Sequence, residues 1–180
     1  MLHYNGFKIR PIQLEDNTQI CNVIKGVFYE LNLPKIGTTY ADKDTDNMFE
    51  AYQDKKSIYY VIERDNKILG GCGIKKLDGS DENICELQKL YFHQSLRGKG
   101  IGKFVLDLCL KFAKEVGYEL CYLESTSVLK ISHYLYKIFE KKDLLSFFLQ
   151  NARCHNFSIY YLWSTLCNLL LAHRLGALCL

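Results

Sequence analysis

The chain has 180 residues, an ordinary globular composition and a formal net charge of +3, which suits one domain with a substantial core. That charge is too small for a nucleic-acid surface, and no lysine or arginine run forms a stripe, so DNA or RNA is not an expected partner. Eight cysteines stand at 21, 72, 85, 109, 121, 154, 167 and 179, without a C-x-x-C pair and mostly within apolar runs. They read as buried thiols of a reducing compartment. The five histidines show no metal-ligand spacing, so no metal is expected. Residues 1–10 lack a long apolar run; no secretory signal is expected, and the cytoplasm is the expected location.

Residues 7–12 mix apolar and basic side chains and predict a short strand ended near Pro11. A helix follows. Asp16 can cap it with Gln19 three residues on, and Ile20, Val23, Ile24, Val27, Phe28 and Leu31 recur at the spacing of a buried helical stripe. Residues 33–39 break the helix, and a second, shorter one is expected over 44–53. Asp42, Asp44, Asp46 and Glu50 gather there. They suit either attraction of a cationic amine or an ordinary solvated helix start. A calcium loop from Asp42 would need Gly at 47 and Glu at 53, where the chain has Asn47 and Gln53.

Residues 57–63 and 68–74 are strand-like runs flanking Arg64-Asp65-Asn66-Lys67, which has hairpin chemistry. Gly70, Gly71 and Gly73 inside the second run predict a bulge or the close approach of a backbone or ligand. After a polar turn over 77–83, residues 84–92 form the next strand, and three short-linked strands predict an antiparallel meander. That strand runs into a basic glycine loop and then a helix over 103–116, ended by Gly117. Residues 118–124 are again strand-like, so strand, helix and strand across the loop predict a βαβ unit with a parallel pair. Further on, helical spacing covers 127–140, and strands are expected over 144–150 and 157–163. Residues 164–180 are leucine-rich and interrupted by Asn168, His173 and Arg174. They read as a C-terminal extension that packs or meets a partner; a membrane span would have to consume the strand at 159–163.

The loop carries the chemistry. A helix start offers unpaired backbone N–H groups and the positive end of the helix dipole, and glycines let a phosphate approach closely. Arg97, Lys99 and Lys103 add charge. A Walker A loop needs Gly at 97 and Ser or Thr at 104, and a dinucleotide fingerprint needs Gly at 103; the chain has Arg97, Phe104 and Lys103. What stands is R-x-x-G-x-G, at Arg97, Gly100 and Gly102.

This pattern, after I-C-E-L-Q-K-L-Y-F, closely resembles the acetyl-CoA loop of the GNAT N-acetyltransferases. The resemblance implies one domain over 1–163 with an α/β, GNAT-like fold: a mixed, mostly antiparallel central sheet with a parallel pair splayed at the cofactor loop, and helices on both faces. It implies acetyl-CoA as co-substrate, its pantetheine arm along Leu90, Tyr91 and Phe92. The pyrophosphate would lie at Arg97, Gly98, Lys99, Gly100, Ile101 and Gly102, with Lys103 in reach. The expected reaction is direct acetyl transfer, in a ternary complex, to a primary amine of a small molecule or peptide. The family's strand glutamate corresponds to Glu86, the candidate base. Its A-x-x-L-Y-E-K-L-G-F tyrosine corresponds to Tyr136 in S-H-Y-L-Y-K-I-F, the candidate acid. A usual loop proline is replaced by Gln94, and the usual Gly-Phe after the tyrosine helix is replaced around residues 140–142. The alternative implied by that divergent C-terminal third is a non-catalytic CoA-binding or interaction protein with a degenerate acceptor site. A homodimer is compatible with the sequence.

Overall fold

The computed structural model describes residues 1–126 and 157–163, with side chains described through residue 122. The chain order is β1 (Leu2–Tyr4), β2 (Phe7–Pro11), a 3-10 turn (Leu14–Asp16), α1 (Asn17–Glu30), α2 (Lys43–Asp46), α3 (Met48–Ala51), β3 (Ile58–Arg64) and β4 (Lys67–Lys76). It continues with β5 (Ile84–Phe92), a 3-10 turn (Gln94–Leu96), α4 (Ile101–Glu115), β6 (Leu120–Thr126) and β7 (Phe157–Trp163). The helix expected over 127–140, the strand expected over 144–150 and the extension over 164–180 lie outside the described residues, and Tyr136 with them.

The strands form one sheet in sequence order, β1 to β7. Every pairing is antiparallel except β5 with β6, the mixed architecture that the βαβ reading implied. Strand side chains alternate between faces, and the two faces build two cores. Ile62, Cys72, Ile74, Cys85 and Leu87 meet Val105, Leu106 and Cys109 of α4 on one side. Tyr59, Val61 and Ile68 meet Ile20, Ile24 and Phe28 of α1 on the other. Each such fully buried aliphatic side chain contributes about 2 kcal/mol by apolar burial.

Two details differ from the sequence reading. A short strand, β1, precedes the expected first strand; Asn5 (φ +48) and Gly6 (φ +77) join it to β2 with Tyr4 opposite Phe7. This is the two-residue turn that Asn-Gly favours. The helix expected over 44–53 is two single turns, α2 and α3, because Asn47 leaves helical geometry at φ −129, ψ 52. The Asp65-Asn66 turn, by contrast, closes β3 on β4 as expected, with both residues at positive φ.

The β4 glycines answer to aromatic rings of the chain itself. A Cβ on Gly71 would lie 2.3 Å from Tyr59 Cε1, and one on Gly73 would lie 2.6 Å from both the Tyr52 and Tyr59 rings. Tyr59, fully buried on β3, therefore crosses β4 over bare backbone. Asp16 also has a role other than the expected cap. Its carboxylate accepts from Gln13 N (2.7 Å) and from both Arg10 terminal nitrogens (2.6 and 2.9 Å). Arg10 Nε donates to Glu63 at 2.8 Å, and Lys8 Nζ donates to the other Glu63 oxygen at 3.1 Å.

Gly71→Ala should lower stability by about 1–3 kcal/mol, read as a fall in Tm, because the Tyr59 ring has no free space to yield. Burial acts to raise the Glu63 pKa, but the Lys8 and Arg10 hydrogen bonds outweigh it and hold the carboxyl below its usual 4.5. A carboxyl with a depressed folded-state pKa adds stability above its unfolded value, and that stability is lost as pH falls through the folded value. Unfolding free energy should therefore drop below about pH 4.5, with a shallower slope in Glu63→Gln; equal slopes would remove Glu63 from the acid response.

Candidate active site

The site begins with an irregularity in β5. Gly73 pairs with Gln88 and Gly71 with Tyr91, so Lys89 and Leu90 face the single residue Cys72. This is a β-bulge, which bends its strand and increases its twist. Lys89 sits at φ +52, a costly conformation for a residue with a Cβ. The hydroxyl of Tyr59, having crossed β4, donates to the Lys89 carbonyl at 2.9 Å. Lys89 Nζ donates to Asp42 Oδ2 at 3.0 Å, with Thr45 Oγ1 at 3.5 Å.

Past the bulge β5 leaves its neighbour. The parallel pairing with β6 runs from Ile84 opposite Leu120 to Leu87 opposite Leu123 and ends there, while β6 continues against β7 to Thr126. Residues 88–92 of β5 therefore pair with β4 alone among the described residues, and a wedge opens between β5 and β6. Leu90, Tyr91 and Phe92, the residues expected along the pantetheine arm, form the β5 side of this wedge. A strand with one unpaired edge can pair with an extended, peptide-like arm.

The wedge leads directly into the glycine loop. His93 N–H donates to Leu69 O at 2.8 Å, continuing the β4 contact. Leu96 and Ile101 are both buried and anchor the segment between them to the core. Gly98 and Gly100 each have φ +73, and Gly100 is the N-cap of α4. Only glycine adopts this backbone without penalty. Ile101, Gly102 and Lys103 are the first residues of α4, whose N–H groups have no intrahelical acceptor. With the α4 dipole behind them they form an anion cradle made of backbone.

The loop cations point elsewhere. Arg97 makes a two-pronged contact with Glu30 at the end of α1, its terminal nitrogens 2.5 and 2.7 Å from the two carboxylate oxygens. Lys99 Nζ lies 5.2 Å from the centre of the Phe7 ring, and Lys103 Nζ donates to Asp107 at 2.6 Å. The sequence reading placed the backbone N–H groups of the helix start at an anion with these cations adding charge; the structure brings those N–H groups together and ties the three side chains to neighbours.

Glu86 lies on β5 before the bulge, on the α1 face, opposite Lys75 of β4 and Tyr122 of β6. Gln88 Nε2 donates to Glu86 Oε2 at 2.5 Å, and the buried Tyr52 hydroxyl donates to Gln88 Oε1 at 3.2 Å. Tyr52, on the α1 side of the sheet, thus sets Gln88, and Gln88 sets the carboxylate. Sequence reasoning proposed Glu86 but named neither of these two residues; the alternation of 86 and 88 on one strand face was the available signal for Gln88.

The acidic cluster is paired. Lys89 meets Asp42, Lys75 meets Asp44 (3.1 Å), Lys25 meets Asp46 (2.7 Å), and Asn17 donates to Glu50 (2.8 Å). Of the two readings offered by the sequence, the open amine-attracting patch is therefore the weaker. Cys72, Cys85, Cys109 and Cys121 are buried thiols of the α4-side core. Burial pushes the Cys109 thiol well above its usual pKa, and the Cys85 hydrogen bond followed by burial does so for Cys121, which suits packing rather than nucleophilic attack. No group of three or more potential metal ligands occurs among the described residues, and no described helix is long and apolar enough to cross a membrane.

The sequence profile of the Acetyltransferase (GNAT) family matches residues 26–140. The uncharacterized N-acetyltransferase YjgM of Escherichia coli K12 is 39% identical over 130 residues, covering 72% of this chain and 78% of that protein. Among solved structures, a GNAT-family acetyltransferase from Staphylococcus aureus Mu50 superposes with a TM-score of 0.70 at 19% identity, covering 86% of this chain and 97% of that one. The structure of yncA from Salmonella typhimurium with its cofactor acetyl-CoA gives 0.70 at 18% identity, covering 91% and 97%. The profile spans the bulged strand, the wedge, the loop and the helix behind it, and the chain belongs to the GNAT family of N-acetyltransferases.

Proposed function

We propose that the protein transfers the acetyl group of acetyl-CoA directly to a primary amine of a small molecule or peptide, with both substrates bound at once. One observation carries the reading: the strand that bears Glu86 splays from β6 and ends at the backbone anion cradle, so one continuous track offers a strand edge, a carboxylate and a phosphate site. The fit to acetyl-CoA is chemical as well as geometric. An extended arm with amide groups suits the edge at 88–92, and a pyrophosphate suits the first-turn N–H groups of α4.

An alkyl amine has a pKa near about 10 and arrives mostly protonated. Glu86, directly or through a water, takes that proton; Gln88 and Tyr52 hold the carboxylate in place. The neutral nitrogen attacks the thioester carbon, and the carbonyl oxygen gains the negative charge. A backbone N–H beside Leu90, where the bulge turns the strand, stabilises that oxyanion. The cationic nitrogen gives its remaining surplus proton to solvent, the oxyanion collapses to the amide as the C–S bond breaks, and the thiolate takes a proton, for which Tyr136 is the candidate donor.

Calorimetry with acetyl-CoA should show binding by the wild type. Gly100→Val should weaken it more than tenfold, since valine resists φ +73. Arg97→Ala should weaken it less, its guanidinium being held by Glu30. A thiol-release assay over a panel of amines, peptides and polyamines should show turnover. Glu86→Gln and Tyr136→Phe should each keep acetyl-CoA affinity while kcat falls about 100-fold. Unchanged turnover in either variant removes that residue from the mechanism. Binding without thiol release on any acceptor would favour a CoA-binding protein instead.

A further inference from the structure

Two strands, β3 and β4, separate the N-terminal hairpin from β5 in the sheet order, yet its turn touches the cofactor loop. Asn5 Nδ2 donates to the Lys99 carbonyl at 3.0 Å. Tyr4 stacks on Phe104 in the first turn of α4, with ring centres 4.3 Å apart and planes within 22°. A Cβ on Gly100 would lie 3.1 Å from the Tyr4 hydroxyl. Lys99 Nζ lies over the Phe7 ring on β2. The approach is possible because the Asn5-Gly6 turn, the Asp65-Asn66 turn and the end of β5 all lie at one end of the sheet, where the loop crosses to reach α4.

Resting on the reading of this loop as the acetyl-CoA site, we propose that the hairpin is a brace for it, with Asn5 and Tyr4 as positioning residues for cofactor binding. A loop with two glycines at positive φ is the most expensive kind to order, because glycine has the most backbone freedom to lose. The Asn5 amide holds one peptide plane of that loop. In a trans peptide the N–H points opposite to the C=O; fixing the Lys99 carbonyl on the hairpin directs the Gly100 N–H away from it. The Tyr4–Phe104 stack fixes the first turn of α4 in the same frame. The ordering cost is met when the protein folds and not when acetyl-CoA binds, which raises affinity without any contact between hairpin and cofactor. Asn5 itself serves twice, since its own positive φ makes the turn that carries the amide to the loop.

The test uses Asn5→Gly in the full chain, because glycine keeps the positive-φ turn and removes only the amide. His3→Ala, on the exposed part of the same hairpin, is the control for general hairpin stability. Expected results are a Kd and a KM for acetyl-CoA raised about fivefold in Asn5→Gly, with kcat at saturation, KM for the amine and Tm unchanged. Amide exchange at residues 98–102 should be faster. Asn5→Asp, which turns a donor into an acceptor facing a carbonyl, should weaken binding further, and His3→Ala should match the wild type. An unchanged Kd in Asn5→Gly overturns the brace while leaving the cofactor reading intact. An equal loss in His3→Ala also overturns it. Absence of acetyl-CoA binding by the wild type overturns the reading of the loop, and the brace with it.

Discussion

Much of the site depends on one aromatic ring crossing a strand that has no side chains in its way. Tyr59 reaches from β3 over Gly71 and Gly73 of β4 and places its hydroxyl on the carbonyl of Lys89 in β5. The hydroxyl is buried and needs a partner, and the bulge supplies a carbonyl that the regular ladder would have used. Glycine is thus required on β4 for space rather than for backbone angle, and the bulge is held from the side that faces the core. The consequences follow along the chain: β5 bends, its pairing with β6 stops at Leu87, and the wedge opens toward the loop.

Charge at the site is arranged in closed pairs. Arg97 is held by Glu30, Lys103 by Asp107, and the carboxylates of Asp42, Asp44 and Asp46 by Lys89, Lys75 and Lys25. Most of these pairs are substantially exposed and individually contribute little to stability. Their effect is positional: they tie α1, α2 and the loop to one another, and the backbone N–H groups at the start of α4 keep a direction set by the fold. The Lys89–Asp42 pair is different, because the lysine side chain is only 6% exposed. It joins α2 to the strand irregularity itself.

A good part of this was legible beforehand. Periodicity located α1 and α4 because their apolar stripes recur at helical spacing, and the R-x-x-G-x-G spacing at 97–102, where two competing motifs fail at named positions, carried the resemblance to one family. Glu86 was picked out as the candidate base by its place on the strand before that loop. The Asn5-Gly6 turn was missed although the dipeptide is a strong hairpin signal, because the strand before it has only three residues and no clear alternation. The helix expected over 44–53 was interrupted at Asn47, whose non-helical backbone no local pattern announced.

The sequence by itself determined the order of the strands from β2 to β6, the parallel pair and the position of the glycine loop before α4, because these rest on local periodicity, chain connectivity and the conformational freedom of glycine. Only the tertiary structure decided which atoms do the work there. The partners of Arg97 and Lys99, the Tyr52 hydroxyl that sets Gln88 beside Glu86, the ring that explains the β4 glycines, and the hairpin amide that meets the Lys99 carbonyl all join residues far apart in the chain. A hydrogen bond or ring contact depends on distance and direction in space, and neither leaves a periodic trace in the order of residues.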